Sequence, residues 1–326
     1  MVVMWVIWGG ISYAKNKEIK NVKEADLDYK REMIALIKDI KLYSKEKRPS
    51  FQVIGNNALG LVKPNDVQES TLGDKVDELS DSLDGILLEG LFYSWEISDE
   101  KERSVTSRQY LQEPLTALLI HKWPVFNIDY CQKPEKVDKS YKMNEGKGIV
   151  STTANRLLDS IPSYPIIIHN ENNNNIDKLK QGKNILVLLN PRNFANKETY
   201  LRSLQKTNYD VLIIDMAFNG SLLSVDDVNT LILKNNGGSR LVFAYMSVGE
   251  AADYRAYWKP SWYKDPPKWV AEKNPAWMGA YKVKYWDVEW KKILLGSEKS
   301  NLDMILTAGF SGVFLDLIDA YQYFEQ

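Results

Sequence analysis

The sequence has 326 residues, 44% hydrophobic and 26% charged, with a formal net charge of -1. That balance describes a globular protein and gives no electrostatic case for holding nucleic acid or an anionic membrane surface. The single cysteine, Cys131, excludes an internal disulfide and a cysteine-rich zinc site, and with only His121 and His169 the Ser-His-Asp, Cys-His and multi-histidine metal chemistries are poorly supplied.

The chain opens on MVVMWVIWGGISYAKNK, apolar up to its first lysine at position 15. This is short of the roughly 18–20 residues a bilayer span takes. It resembles a signal-peptide core, with Ser12-Tyr13-Ala14 in the small-x-small form of a cleavage site, although no basic residue precedes it. The expectation is a signal peptide or membrane-proximal segment over 1–20, a secreted or cell-surface location with the cytoplasm as the alternative, and one domain over 21–326.

After an amphipathic helical stretch at 23–44 come eight short apolar runs bounded by turn residues: FQVIGNN (51–57), DGILLEG (84–90), PVFNIDY (124–130), KGIVSTTAN (147–155), KNILVLLNP (183–191), YDVLIIDMA (209–217), RLVFAYMSVGE (240–250) and SGVFLDLID (311–319). Continuous runs of this kind suit parallel strands covered on both faces. Helical patterns at 199–207 and 224–235 fall between runs. Eightfold alternation of strand and helix predicts an α/β protein with a (β/α)8 TIM barrel, whose usual size of roughly 250 residues plus insertions fits the length. An open doubly wound sheet is the alternative, but no G-x-G-x-x-G follows a strand. The Asn-rich stretch 168–184 reads as a surface loop or linker, and 252–292 as a long insertion.

Carboxylates follow the apolar runs. Glu89, Asp129, Asp215, Glu250 and Asp316 stand at or near predicted strand ends, and Asn56 holds the same place in its own run. In a barrel those ends surround one mouth, where active sites form. Mutual repulsion among such acids raises pKa values and keeps one protonated near neutrality, which is what glycosidic bond cleavage by a carboxylate pair requires. A hard-cation site is the other use of clustered acids. Six tryptophans lie between 258 and 290, interleaved with tyrosines. Most are expected to pack the insertion onto the barrel, with one or two lining a groove where rings stack on sugar faces.

Several longer motifs are specific. YMSVGEAADYRAYW (245–258), NPAWMGAYKVKYWDVEW (274–290) and LDMILTAGFSGVFLDLIDAY (302–321) closely resemble the TIM-barrel glycoside hydrolases of family 114, which group endo-α-1,4-polygalactosaminidases with many uncharacterised proteins. The resemblance continues in 209–220, 49–62, 84–95, 123–131 and 141–162, covering nearly the whole chain beyond residue 21. The order departs from the family: the segments resembling its last strands open this chain. The resemblance therefore implies a circular permutant cut after the fourth family strand, with 168–184 joining the old ends and 23–44 supplying the helix that follows the Asp316 strand.

The resemblance also implies roles. Asp316 matches the strand-end acid of the family's GVFLD motif and is expected to be the nucleophile. Glu89 matches the glutamate of its EGLF-like strand and is expected to be the general acid/base. Asp215, Glu250, Asp287 and Asp319 match motif acids expected to line the substrate groove or hold its arginine, Arg255. Tyr254, Trp286, Asn56, Asp129 and Tyr130 complete the expected substrate-binding set. No cofactor or metal is implied. The partner is a polysaccharide or oligosaccharide substrate, with an amino sugar suited to an acidic mouth, and neither nucleic acid nor an obligate protein partner is indicated. The rival readings are a non-catalytic carbohydrate-binding barrel, a divalent-metal hydrolase, and a cysteinyl-tRNA synthetase-like protein; the last lacks the HIGH and KMSKS signatures.

Overall fold

The computed structural model describes residues 27–62, 72–97 and 100–325, so the apolar segment expected at 1–20 lies outside the described residues. Within it each of the eight apolar runs forms a strand: β1 (Gln52–Asn56), β2 (Gly85–Glu89), β3 (Val125–Asp129), β4 (Val150–Thr153), β5 (Ile185–Leu188), β6 (Val211–Asp215), β7 (Leu241–Ser247) and β8 (Gly312–Asp316). They make one sheet in the order β4-β3-β2-β1-β8-β7-β6-β5, and every neighbouring pair is parallel. Between β4 and β5 the loops replace the ladder, with the backbone N–H groups of Leu189 and Asn190 donating to the carbonyl of Leu158 at 2.9 and 3.1 Å. The result is the expected (β/α)8 TIM barrel, closed but for this seam.

Two-residue periodicity decides which side chains enter the barrel. Ile54, Leu87, Phe126, Ile128, Ile185, Val187, Val211, Ile213, Leu241, Phe243 and Phe314 form the inner core. The intervening residues, among them Val53, Ile86, Leu88, Val125, Leu212, Val242 and Val313, join an outer core against the helices. Following the inward parity one step beyond the apolar layers gives Asn56, Glu89, Tyr130, Asp215, Tyr245 and Asp316. The polar rim is thus the continuation of the core pattern.

The outer layer contains α1 (Tyr29–Lys47), α2 (Leu72–Ser82), α3 (Gln112–Ile120), α4 (Pro134–Glu145), α5 (Lys197–Gln205), α6 (Val225–Ile232), α7 (Val288–Leu294) and α8 (Asn301–Thr307). Asp28 caps α1 by accepting from the Arg31 N–H at 3.0 Å, and Met33, Leu36, Ile37 and Ile40 form its buried stripe. This helix covers the junction of β8 and β1, between α8 on one side and α2 on the other. Arg48 donates to the carbonyls of Phe310 and Leu306 at 2.8 and 2.6 Å, and Tyr43 donates to Asp303 at 2.7 Å. On the other side Lys41 donates to the Leu83 carbonyl at 2.9 Å. α1 and β1 therefore build one sector of the barrel with α8 and β8. Gly312 makes the junction close: a Cβ there would stand 2.2 Å from the Gln52 carbonyl oxygen.

The Asn-rich stretch is more than a surface linker. Asp210 and Lys234 form a fully buried ion pair at 2.9 Å. Lys234 also donates to the Asn172 carbonyl at 2.9 Å, and the Asn172 amide donates to Asp210 at 2.9 Å. Asn184 and Asn236 donate to the carbonyls of Asn170 and Asn172. A 3-10 turn, Leu179–Gln181, then closes the N-terminal end of the barrel, where Gln52 accepts from the Leu179 N–H at 2.9 Å. Asparagine supplies both donors and acceptors, so a helix-free crossover satisfies its backbone groups with side chains. Among the described residues no helix is long and apolar enough to cross a membrane.

Removing one partner of the Asp210–Lys234 pair leaves a buried charge uncompensated. Lys234→Met is expected to lower stability by about 3–5 kcal/mol in urea unfolding. A loss under about 1 kcal/mol would show that this pair does not pin the crossover.

Candidate active site

The sheet order puts β1 between β2 and β8, so Asn56 stands between Glu89 and Asp316. Its side-chain nitrogen donates to Glu89 Oε1 at 2.7 Å and to Asp316 Oδ1 at 2.7 Å. The two acceptors are therefore at most about 5.4 Å apart, twice the hydrogen-bond length, and nearer if each takes one of the two N–H groups. Glu89 and Asp316 are 227 positions apart in sequence, yet their carboxylates share one amide.

Each carboxylate has a tyrosine as well. Tyr130 donates to Glu89 Oε2 at 3.0 Å, and Tyr245 donates to Asp316 Oδ2 at 2.9 Å. Asp316 Oδ1 also accepts from the Leu317 N–H at 2.8 Å. Burial, reinforced by the neighbouring carboxylate, holds both phenols well above their ordinary range, so they serve as fixed O–H donors. Leu317 takes a left-handed conformation with φ of 59°, uncommon for a branched side chain, at the turn that brings its N–H back to Asp316. Gly249 lets this turn approach, since a Cβ there would meet the Leu317 carbonyl oxygen at 2.2 Å.

Burial and then the charge of Asp316 push Glu89 from its ordinary 4.5 up to about 7, opposed by the Asn56 and Tyr130 donors. Asp319 rises to about 6 through burial and then Asp316, with Lys282 pulling the other way. The rim thus offers two carboxyl groups that change charge near neutrality.

The other expected site residues divide. Asp215 pairs with Arg255 through two parallel bonds of 2.9 and 2.6 Å, and the guanidinium lies over the rings of Tyr245 and Tyr254 at 5.8 and 5.6 Å. Glu250 pairs with Lys282 at 2.5 Å and accepts from the Asn274 amide at 2.8 Å. Tyr254 is 61% exposed beside Arg255. Asp129 belongs elsewhere: it is off the inward parity by one residue and fully buried. It accepts from the N–H groups of Phe92 and Tyr93, from Ser140 Oγ and from the Asn144 amide, at 2.7–3.0 Å. It shapes the loop after Glu89 and does not line a groove. Asp287 is the N-cap of α7, accepting from the Glu289 N–H at 2.7 Å. Trp286 packs on Tyr29 and Phe324 with centroids 5.0 and 4.7 Å away, where the start of α1 meets the residues after β8.

Of the insertion's tryptophans, Trp258, Trp262, Trp269 and Trp290 form one packed cluster with centroid separations of 4.9–5.4 Å, while Trp277 is exposed. Tyr245 and Lys282 are site residues the sequence reading missed. Tyr245 was recoverable, because it stands two positions after the inward Phe243 in the same strand. Among the described residues no group of three His, Cys, Asp or Glu side chains is arranged to hold a metal ion.

Residues 191–326 match the family model Glycoside-hydrolase family GH114. The matched region contains β6, β7, β8, Asp316 and both ion pairs of the rim. Curated relatives include an uncharacterised protein of Methanocaldococcus jannaschii, 36% identical over 158 residues (48% of this chain and 43% of that one). Others are uncharacterised proteins of Thermotoga maritima, 38% identical over 123 residues (38% and 36%), and of Deinococcus radiodurans, 43% identical over 83 residues (26% and 26%). The chain spans less than half the length of these relatives.

A raised Glu89 means that the folded state favours its neutral form. The associated stability is fully present below pH 4.5 and is lost as pH rises through about 7. Glu89→Gln stays neutral, so relative to wild type it should gain on the order of 2–3 kcal/mol between pH 5 and pH 8. Urea unfolding at the two pH values measures this, and a constant difference would mean that Glu89 ionises like an exposed glutamate.

Proposed function

We propose that this protein is a retaining glycoside hydrolase acting on a polysaccharide that contains amino sugars, similar to an endo-α-1,4-polygalactosaminidase. The Asn56 amide carries the reading, because it holds the two carboxylates within about 5.4 Å. Retention uses carboxyl groups roughly 5–5.5 Å apart, whereas inversion leaves roughly 6.5–9.5 Å for a water. The GH114 match over residues 191–326 supports the same class.

Asp316 is the nucleophile and Glu89 the acid. Asp316 attacks the anomeric carbon as the bond from that carbon to the leaving oxygen breaks, and Glu89 gives its proton to that oxygen. Glu89, now a carboxylate, takes a proton from water while the water oxygen bonds to the anomeric carbon and the ester bond to Asp316 breaks. Both groups return to their starting states. Asn56 and the two tyrosines fix the acids without taking part in proton transfer. Supporting an amino sugar, with Glu89 protonated the rim keeps four carboxylates, Asp215, Glu250, Asp316 and Asp319, against Arg255 and Lys282. Asp215 and Glu250 are spoken for by those cations, which leaves Asp319 to meet a substrate ammonium group.

The order of the motifs supports a circular permutant of the family barrel. The GH114 match covers only the part after the Asn-rich crossover, while the strands carrying Asn56 and Glu89 precede it.

Reducing-end release from α-1,4-linked polygalactosamine, before and after N-acetylation, tests the function. Wild-type protein is expected to cut the polymer, with kcat/KM falling as pH rises through about 7 and Glu89 loses its proton. Glu89→Gln and Asp316→Asn should each lose about 10²–10⁴-fold or more of turnover while remaining folded. Wild-type turnover in either variant removes that residue from the mechanism, and absence of release from both polymers favours a carbohydrate-binding barrel.

A further inference from the structure

A second aromatic feature stands on the opposite side of Glu89 from Asp316. Trp95 lies in the loop after β2 and Arg156 in the loop after β4, and the guanidinium carbon is 4.5 Å from the indole centroid. The two loops therefore meet above the end of β3, the strand that supplies Tyr130 to Glu89. Each loop is hydrogen-bonded near its start. Asp129 accepts from Phe92 and Tyr93, and the Tyr93 carbonyl accepts from the Tyr130 N–H at 2.7 Å. In the other loop Asn155 accepts from the Leu157 N–H at 3.0 Å and donates to Asp159 and Ser160 at 2.7 and 2.8 Å.

Trp95 is 42% exposed, and neighbouring Leu157 is 40% exposed. Among the described residues no carboxylate forms an ion pair with Arg156, in contrast to Arg255 and Lys282 across the mouth. An exposed indole and a guanidinium with no partner acid among the described residues thus stand on the loops after β2 and β4, on the side of β2 away from Asp316.

We propose that Trp95 and Arg156 form a binding subsite for the sugar unit on the leaving-group side of the cut, and that this subsite selects an N-acetylated unit over one with a free amine. The inference rests on the hydrolase reading above. The general acid protonates the leaving oxygen, so the chain beyond that oxygen runs past Glu89 toward the loops of β2 and β4. An indole face takes the C–H face of a sugar ring. The guanidinium donates to an acetamide carbonyl and repels an ammonium group, so the charge that suits an amine at the acid-rich centre is reversed one unit away. The preferred polymer is therefore partly acetylated, with an amine unit at the reaction centre and an acetylated unit following it.

The test compares two hexamers of α-1,4-linked galactosamine, one fully deacetylated and one with alternating N-acetyl groups, using wild type, Trp95→Ala, Arg156→Ala and Arg156→Glu. Both positions of substitution are on the surface, and unchanged thermal unfolding confirms that each variant is folded. Trp95→Ala and Arg156→Ala should lower kcat/KM on the alternating hexamer about tenfold. On the deacetylated hexamer Arg156→Ala should not lower it, and Arg156→Glu should raise it, reversing the preference; product masses should show the acetylated unit at the new non-reducing side in wild type. Equal effects of the arginine variants on both hexamers, or none on either, overturn the subsite while leaving the hydrolase standing. Wild-type protein that cleaves neither hexamer overturns the hydrolase reading and the subsite with it.

Discussion

One side-chain amide organises the mouth of this barrel. Asn56 directs a single nitrogen at two carboxylates, and its own carbonyl oxygen is buried without a hydrogen-bond partner. An unmet buried acceptor is costly, as is a pair of acids on the inward positions either side of it. Both costs persist because the barrel fixes the backbones on each side: β1 is hydrogen-bonded to β2 and to β8, so Glu89 and Asp316 cannot retreat from Asn56. A neutral donor is suited to this place. A lysine would neutralise both acids and hold Glu89 ionised, whereas an amide brings them together and leaves the proton on Glu89.

The strands and the acids at their ends were legible because both follow from local pattern, whereas singling out Glu89 and Asp316 among those acids came from the resemblance of their motifs to family 114. A strand whose apolar residues alternate into a closed core presents its next inward residue at the mouth, so Glu89, Asp215 and Asp316 needed only correct strand ends. The same rule, applied strictly, separates Tyr130 from Asp129 and would have set Asp129 among the outward residues with Asn127. Strand ends alone do not resolve parity, and that is why Asp129 was grouped with the rim. Lys282 was not legible: it reaches Glu250 through an antiparallel pairing of 250–252 with 280–283, set by an insertion whose course the sequence does not specify. The Asn-rich crossover misled for another reason. Its composition is that of a solvated loop, and only the buried charge of Asp210, donated by a different part of the chain, turns asparagines into anchors.

Continuity of the barrel depends on spatial neighbours rather than on chain order. The β8–β1 junction has a full parallel register, from Gln52 opposite Gly312 to Gly55 opposite Leu315. The β4–β5 seam, which is covalently continuous through 154–184, has no ladder and relies on Leu158 and on the side chains of the Asn-rich stretch. The stronger seam is thus the one the backbone does not cross between strands, and the Glu89–Asp316 pair straddles it. Glu89 and Asp316 come from the second and the last strand in chain order, and the first strand joins them in one sector. α1 makes this junction specific through Arg48, Tyr43 and Lys41, each bonded to a group on a flanking helix or loop.

The distribution of charge around the mouth follows from the same arrangement. Arg255 and Lys282 come from the insertion after β7 and each takes one acid, Asp215 and Glu250, on the Asp316 side. Among the described residues neither forms an ion pair with Glu89 or Asp319, the two groups whose protonation shifts toward neutrality under burial and the field of Asp316, although Lys282 opposes the shift at Asp319. Cations placed directly beside Glu89 would lower its pKa and ionise it near neutrality. Positive charge near Glu89 is instead displaced to Arg156, beyond Tyr130 and against an indole face. The rim therefore sets cations against Asp215 and Glu250, an uncharged amide between Glu89 and Asp316, and, in the loop after β4, an arginine with no partner acid among the described residues.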